Sequence, residues 1–231
     1  TYDAPFVEFP GGRVEDRALP EPAGPDDEAR LIAKALAVRV ADTRFTLDRL
    51  AALNRGRNPD DGRRPLPRGL VGALDLDRVG MFGHSLGGAT AAAAMHADRR
   101  VDAGVNLDGT VSGPVVTAGL DRPFLLVGSQ GHDGEEDESW AALWARLRGP
   151  RHWLQLAGSG HMSFTDYQVL LPQAGLPPAE LEPMLGTIDG QRSVAVQRAY
   201  VQAFFDRYLR HGGGRLLAAP SPRYPEMRFL P

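Results

Sequence analysis

A mostly parallel α/β sheet with helices on both faces is the fold this sequence predicts, and three observations predict it. Short apolar runs alternate with helical patterns from residue 79 to residue 209, the order expected of parallel strands buried on both sides. One run, residues 79–82, passes through Gly83-His84-Ser85-Leu86-Gly87 directly into residues 89–95, which are almost all strong helix formers. Small or polar turn residues follow each run, at Asp108-Gly109, Gly128-Ser129 and Gly158-Ser159-Gly160-His161. With 231 residues and no evident linker or repeat, residues 1–231 read as one domain.

Composition narrows the chemistry. Hydrophobic residues are 42% and charged residues 24%, ordinary for a globular chain. A net charge of −3 argues against nucleic acid as a partner. There is no cysteine, so disulfides, thiol catalysis and cysteine metal sites are excluded. No apolar run is long enough to span a bilayer. The sequence opens on Thr1 rather than Met, which reads as a processed or cut start.

In chain order, residues 6–9 form a weak strand candidate ended by Pro10-Gly11-Gly12, and residues 13–25 read as loop. Asp26 and Asp27 suit a helix N-terminus and open a helix to about Leu53, with Leu31, Leu36, Val40, Phe45, Leu47, Leu50 and Leu53 as its apolar face. Residues 54–68 read as loop and residues 69–74 as a helical turn. Strands follow at 79–82, 103–107, 124–127 and 152–156. Helices are expected at 139–147, at 164–171 and at 192–209. Trp140, Leu143, Trp144 and Leu147 fall at i, i+3, i+4 and i+7, the spacing of a core-facing stripe. The tail from residue 215 holds four prolines and reads as coil.

A parallel sheet collects its functional residues at the carboxyl ends of its strands. Ser85, Asp108, the loop from Ser129 to Asp133 and His161 all follow strands, so one sheet edge gathers them. A G-x-S-x-G between strand and helix is a nucleophile elbow: a tight turn exposes the serine beside the free N–H groups of a helix N-terminus. The bland reading is a Gly-rich turn with a serine N-cap. Serine needs a base. His161 fits, since it ends a strand in a Gly-rich turn, whereas His96 and His211 sit at helix ends, His152 begins its strand and His132 reads as loop among acids. For the carboxylate that orients the base, Asp108 is preferred, at a strand end before a glycine; Asp133, in an acidic run, is the alternative. No metal or cofactor is called for.

Gly83-His84-Ser85-Leu86-Gly87-Gly88, then Asn106-Leu107-Asp108-Gly109, with Asp108 23 residues beyond Ser85, then Gly158-Ser159-Gly160-His161-Met162-Ser163-Phe164, resemble the platelet-activating-factor acetylhydrolase branch of the α/β hydrolases and its bacterial lipase and esterase relatives. The likeness runs from about Asp75 to Leu209, and Tyr2-Asp3-Ala4 resembles a segment after an early strand of that group. The resemblance implies an α/β-hydrolase fold, Ser85 as nucleophile, Asp108 as acid, His161 as base, the Leu86 N–H as an oxyanion donor and a secreted setting. It implies a small-molecule ester or lipid substrate taken in an apolar pocket near His84, Phe164 and Tyr167. It also implies several strands ahead of the elbow and a second oxyanion donor there. The sequence offers one weak strand candidate before Val79 and no second donor. An upstream segment or chain that completes the sheet is therefore expected, with this chain the C-terminal two-thirds of the whole domain. The rivals to a serine ester hydrolase are a peptidase or amidase with the same triad and a non-catalytic binding fragment.

Overall fold

A computed structural model describes residues 6–9, 11–16 and 23–230. Tyr2-Asp3-Ala4 lies outside them. The central sheet has the order β3-β4-β5-β6-β7, formed by β3 (Gly80–His84), β4 (Ala103–Leu107), β5 (Phe124–Gly128), β6 (Arg151–Leu156) and β7 (Met227–Phe229). The first four strands run parallel and β7 pairs antiparallel with β6. Ahead of them, β1 (Phe6–Glu8) and β2 (Val14–Asp16) make a separate hairpin. Among the described residues, then, β3 is an edge strand, and Phe82 stands 60% exposed on it.

Burial on both faces explains the continuous apolar runs. Leu125 and Val127 of β5 point into a core with Val196, Tyr200 and Phe204 of α7 (Gly190–Leu209). Phe124 and Leu126 point the other way, to Ala92 and Met95 of α2 (Leu86–Ala97) and to Trp140 and Leu143 of α4 (Glu138–Trp144). The short helix α3 (Val115–Ala118) joins that second face through Val115. Helix α1 (Pro25–Asn54) packs on α2 and buries Leu31, Ala35, Leu36 and Leu47. Phe45, expected on its buried face, is 60% exposed under the Arg49 guanidinium.

Several expectations are corrected. Residues 69–74 form turns tied to Asn54, whose side chain bonds the Leu74 backbone through both its donor and its acceptor. The helix expected at 164–171 is a 3-10 turn (His161–Phe164) followed by α5 (Tyr167–Gln173). The tail is not coil throughout. After α6 (Pro178–Leu185) and α7 come α8 (Arg215–Ala218) and β7, which seats Met227 in the core. The Arg192–Glu226 ion pair, Nε to Oε1 at 2.7 Å, pins that segment to α7.

Candidate active site

Three loops at the carboxyl ends of β3, β4 and β5 and the turn after β6 build the site. Ser85 sits between β3 and α2 with φ 56° and ψ −125°, a conformation that non-glycine residues rarely adopt. Its backbone is held on both sides. The Ser85 N–H donates to Leu107 of β4 at 2.9 Å, and its carbonyl accepts from Gly88 and Ala89 at 2.9 and 3.1 Å. The turn is so tight that a Cβ on Gly83 would lie 2.3 Å from the Gly87 backbone, and one on Gly109 would lie 2.0 Å from the Ser85 carbonyl oxygen. As the first residue of α2, Leu86 has an N–H without an intrahelical acceptor, at the positive end of the helix.

Asp108 also takes a positive φ, 58°. Asn106, fully buried two residues earlier in β4, clamps this bend: its amide donates to the Gly109 carbonyl at 2.6 Å and accepts the Gly109 N–H at 2.9 Å. Trp140 Nε1 donates to the same carbonyl at 2.8 Å. The Asp108 carboxylate is thereby fixed among three donors. Oδ2 faces His161 Nδ1 at 2.7 Å, while Oδ1 accepts the Ser129 N–H at 2.6 Å and faces His132 Nδ1 at 2.7 Å. Burial alone would raise the proton affinity of this carboxyl, but its hydrogen bonds to His132, His161 and Ser129 outweigh that and hold it well below the usual carboxylate range.

His132 is expected from the sequence to be a loop residue among acids. It lies instead against Asp108, and its Nε2 stands 3.0 Å from Asp137 Oδ2 at the N-cap of α4. Asp137, one of an acidic run in the sequence, carries no local mark of this contact. The available signal was position, since His132 follows the end of β5 in the loop that also carries Asp133. Asp133 itself is not brought to the histidines. Its Oδ1 accepts the backbone N–H groups of Glu135 and Glu136 at 2.9 and 3.3 Å, closing its own loop.

His84 packs beneath His161, with ring centroids 4.4 Å apart, and stacks on Phe164 at 6.1 Å. Burial, then the neighbouring His161, lowers its proton affinity and favours the neutral ring. Phe164 is 8% exposed and belongs to the core on the α7 side, so it is no open pocket wall, whereas Tyr167 stands exposed. A cleft of about 550 Å³ opens beside Asp108, lined by Thr110, Ser129, His132, Glu136, Asp137 and Ser139 among others, and its lining is mostly polar.

A parallel sheet with a strained serine between strand and helix, and an Asp–His pair at the same edge, defines an α/β hydrolase. Residues 25–211 match the family model described as platelet-activating factor acetylhydrolase, isoform II, and the chain belongs to that family. It is 33% identical over 167 residues to a protein of Arthroderma benhamiae described as a "probable 1-alkyl-2-acetylglycerophosphocholine esterase", covering 66% of this chain and 43% of that protein. It is 25% identical over 142 residues to the platelet-activating factor acetylhydrolase of Cavia porcellus, covering 61% of this chain and 32% of that protein. The solved structure of a ferulic acid esterase from Streptomyces cinnamoneus superposes with a TM-score of 0.76 at 39% identity, covering 100% of this chain and 63% of that one. The chain thus spans less than half the length of the two curated relatives.

Proposed function

We propose that this chain carries the catalytic triad of a serine carboxylic-ester hydrolase, with Ser85 as nucleophile, His161 as base and Asp108 as the acid that orients it. The observation that carries this reading is the 2.7 Å contact from Asp108 Oδ2 to His161 Nδ1, made at the sheet edge where Ser85 turns into α2. A carboxylate on Nδ1 fixes the tautomer whose Nε2 lone pair takes the serine proton. The hydroxyl oxygen attacks the ester carbonyl, the Leu86 N–H at the helix N-terminus receives the developing oxyanion, and the alcohol leaves with a proton from His161. Water, activated by the same histidine, then releases the acid. The ester-hydrolysing activities for which the relatives are named support a small-molecule ester as substrate. A fluorophosphonate probe tests the mechanism: covalent labelling mapped to Ser85 is expected, and a folded protein that stays unlabelled would favour the non-catalytic reading. Acetyl, butyryl and feruloyl esters, set against matched amides, then sort the substrate.

We also propose that a strand from outside residues 1–231, on the same polypeptide or another, seats against β3. The support is the edge itself: among the described residues no strand pairs with the outer side of β3, where Phe82 is exposed, and an open strand edge presents backbone N–H and C=O groups to a partner. Such a segment is also where a second oxyanion donor would come from. Loss of one donor costs about 10²–10³ in rate. Residues 1–231 alone should therefore label at Ser85 but turn esters over far below about 1 s⁻¹, the low end of ordinary enzymes. A chain that is monomeric by native mass spectrometry and still exceeds that rate would overturn the proposal.

A further inference from the structure

Both ring nitrogens of His132 face carboxylate oxygens, Nδ1 at 2.7 Å from Asp108 Oδ1 and Nε2 at 3.0 Å from Asp137 Oδ2. A neutral imidazole has one N–H and one lone pair, so it can satisfy one carboxylate only and must aim its lone pair at the other. An imidazolium satisfies both. The surroundings favour the cation. Asp108 closes in from the end of β4 and Asp137 from the start of α4, the Trp140 ring packs at 4.2 Å, and Glu136 and Glu138 line the cleft alongside. Burial opposes the charge, yet the hydrogen bonds to Asp108 and Asp137 prevail and raise the ring's pKa to about 9.

We propose that His132 is a positioning residue for ester hydrolysis: held as an imidazolium between Asp108 and Asp137, it locks the Asp108 carboxylate in the orientation from which Oδ2 accepts the Nδ1–H of His161. This rests on the reading of Asp108 and His161 as acid and base. Two donors, the Ser129 N–H and His132 Nδ1–H, occupy Oδ1 from different directions, so the carboxylate cannot rotate and Oδ2 is left to His161. The cation also offsets one of the two carboxylates in contact with it, so the Asp108–His132–Asp137 cluster itself carries one net negative charge to balance the imidazolium that forms on His161 during turnover. Asp137 is a working part of the arrangement, since it supplies the second charge that keeps His132 protonated.

Nitrogen-edited spectra of the histidine rings in the whole chain test this without any need for turnover. At neutral pH both His132 nitrogens should carry protons, and in Asp137→Ser, which keeps a helix-capping hydroxyl, the second proton should be lost at lower pH than in the parent. In His132→Gln the low-field Nδ1–H of His161 should exchange with water at least about tenfold faster, while thermal unfolding stays cooperative. A single-N–H neutral His132 at neutral pH overturns the proposal, and so does an unchanged His161 N–H in folded His132→Gln. If that variant does not fold, Asp137→Ser carries the same reading: faster His161 exchange supports the proposal and unchanged exchange overturns it. Absent hydrolysis beside these signals would sink the esterase reading alone.

Discussion

Ser85→Ala is expected to cut ester hydrolysis by the intact protein about 10⁴-fold or more, because a triad works as a unit and loses nearly everything when one member goes. That loss corresponds to about 5.5 kcal/mol of transition-state stabilisation. The fold should survive it. Alanine keeps the Cβ that serine already places at φ 56°, and the interactions that hold the turn are made by the Ser85 backbone, through Leu107, Gly88 and Ala89. The side chain makes no helix-capping hydrogen bond whose loss would destabilise α2. Stability and activity are therefore separable at this residue. The measurements are kcat/KM on a short-chain ester and thermal unfolding on one preparation, with fluorophosphonate labelling as control. A folded Ser85→Ala protein that keeps activity within about tenfold of the parent would remove Ser85 from the nucleophile's role.

The parts of this molecule legible in the sequence are those whose signals are local. The alternation of strands and helices, both sheet faces and the strand-to-helix turn at Ser85 follow from apolar runs, alanine content and glycine spacing. Strand β4 has the bounds expected of residues 103–107. What escaped depended on distant partners. Met227-Arg228-Phe229 is too short and too surrounded by prolines to announce a strand, and becomes one only because the free edge of β6 accepts it. Hairpin strand β2, in a segment expected to be loop, exists by pairing with β1. His132 is the instructive case at the site. Its acidic neighbours suggested a solvated loop, and Asp133, Glu135 and Glu136 do form one. The ring nevertheless turns inward to Asp108, 24 positions earlier in the chain, a contact that periodicity cannot reveal. Phe164, three residues after His161, lies in the 3-10 turn and is buried in the core on the α7 side, a placement that its sequence neighbours do not announce.

Asp108→Asn is expected to cost about 10³–10⁴ in turnover with the fold retained, whereas Asp133→Asn should change it by less than about twofold. The geometry gives the reason. Three donors converge on the Asp108 carboxylate, two on Oδ1 and one on Oδ2. An amide has one oxygen and one NH₂ group. With its oxygen in the Oδ1 position it keeps Ser129 and His132 but presents NH₂ to His161 Nδ1, which forces the proton onto Nε2 and leaves no lone pair for the serine proton. Flipped, it accepts from His161 but sets donor against donor at Ser129 and His132. Neither orientation restores the carboxylate's charge, which stabilises the imidazolium during turnover. Stability should respond to pH in a matching way. Asp108 has a depressed pKa in the folded protein, so its contribution is present above the unfolded value of about 4 and is lost as pH falls through the folded one. The gap in thermal midpoint between parent and Asp108→Asn should therefore shrink as the pH is taken below about 4. Asp133 meets a different fate, because an asparagine oxygen accepts the Glu135 and Glu136 N–H groups as its carboxylate does. Paired kcat measurements on the two variants decide the assignment. A crippled Asp133→Asn beside a nearly normal Asp108→Asn would move the acid to the loop after β5, and with it the choice of which histidine contact matters for catalysis.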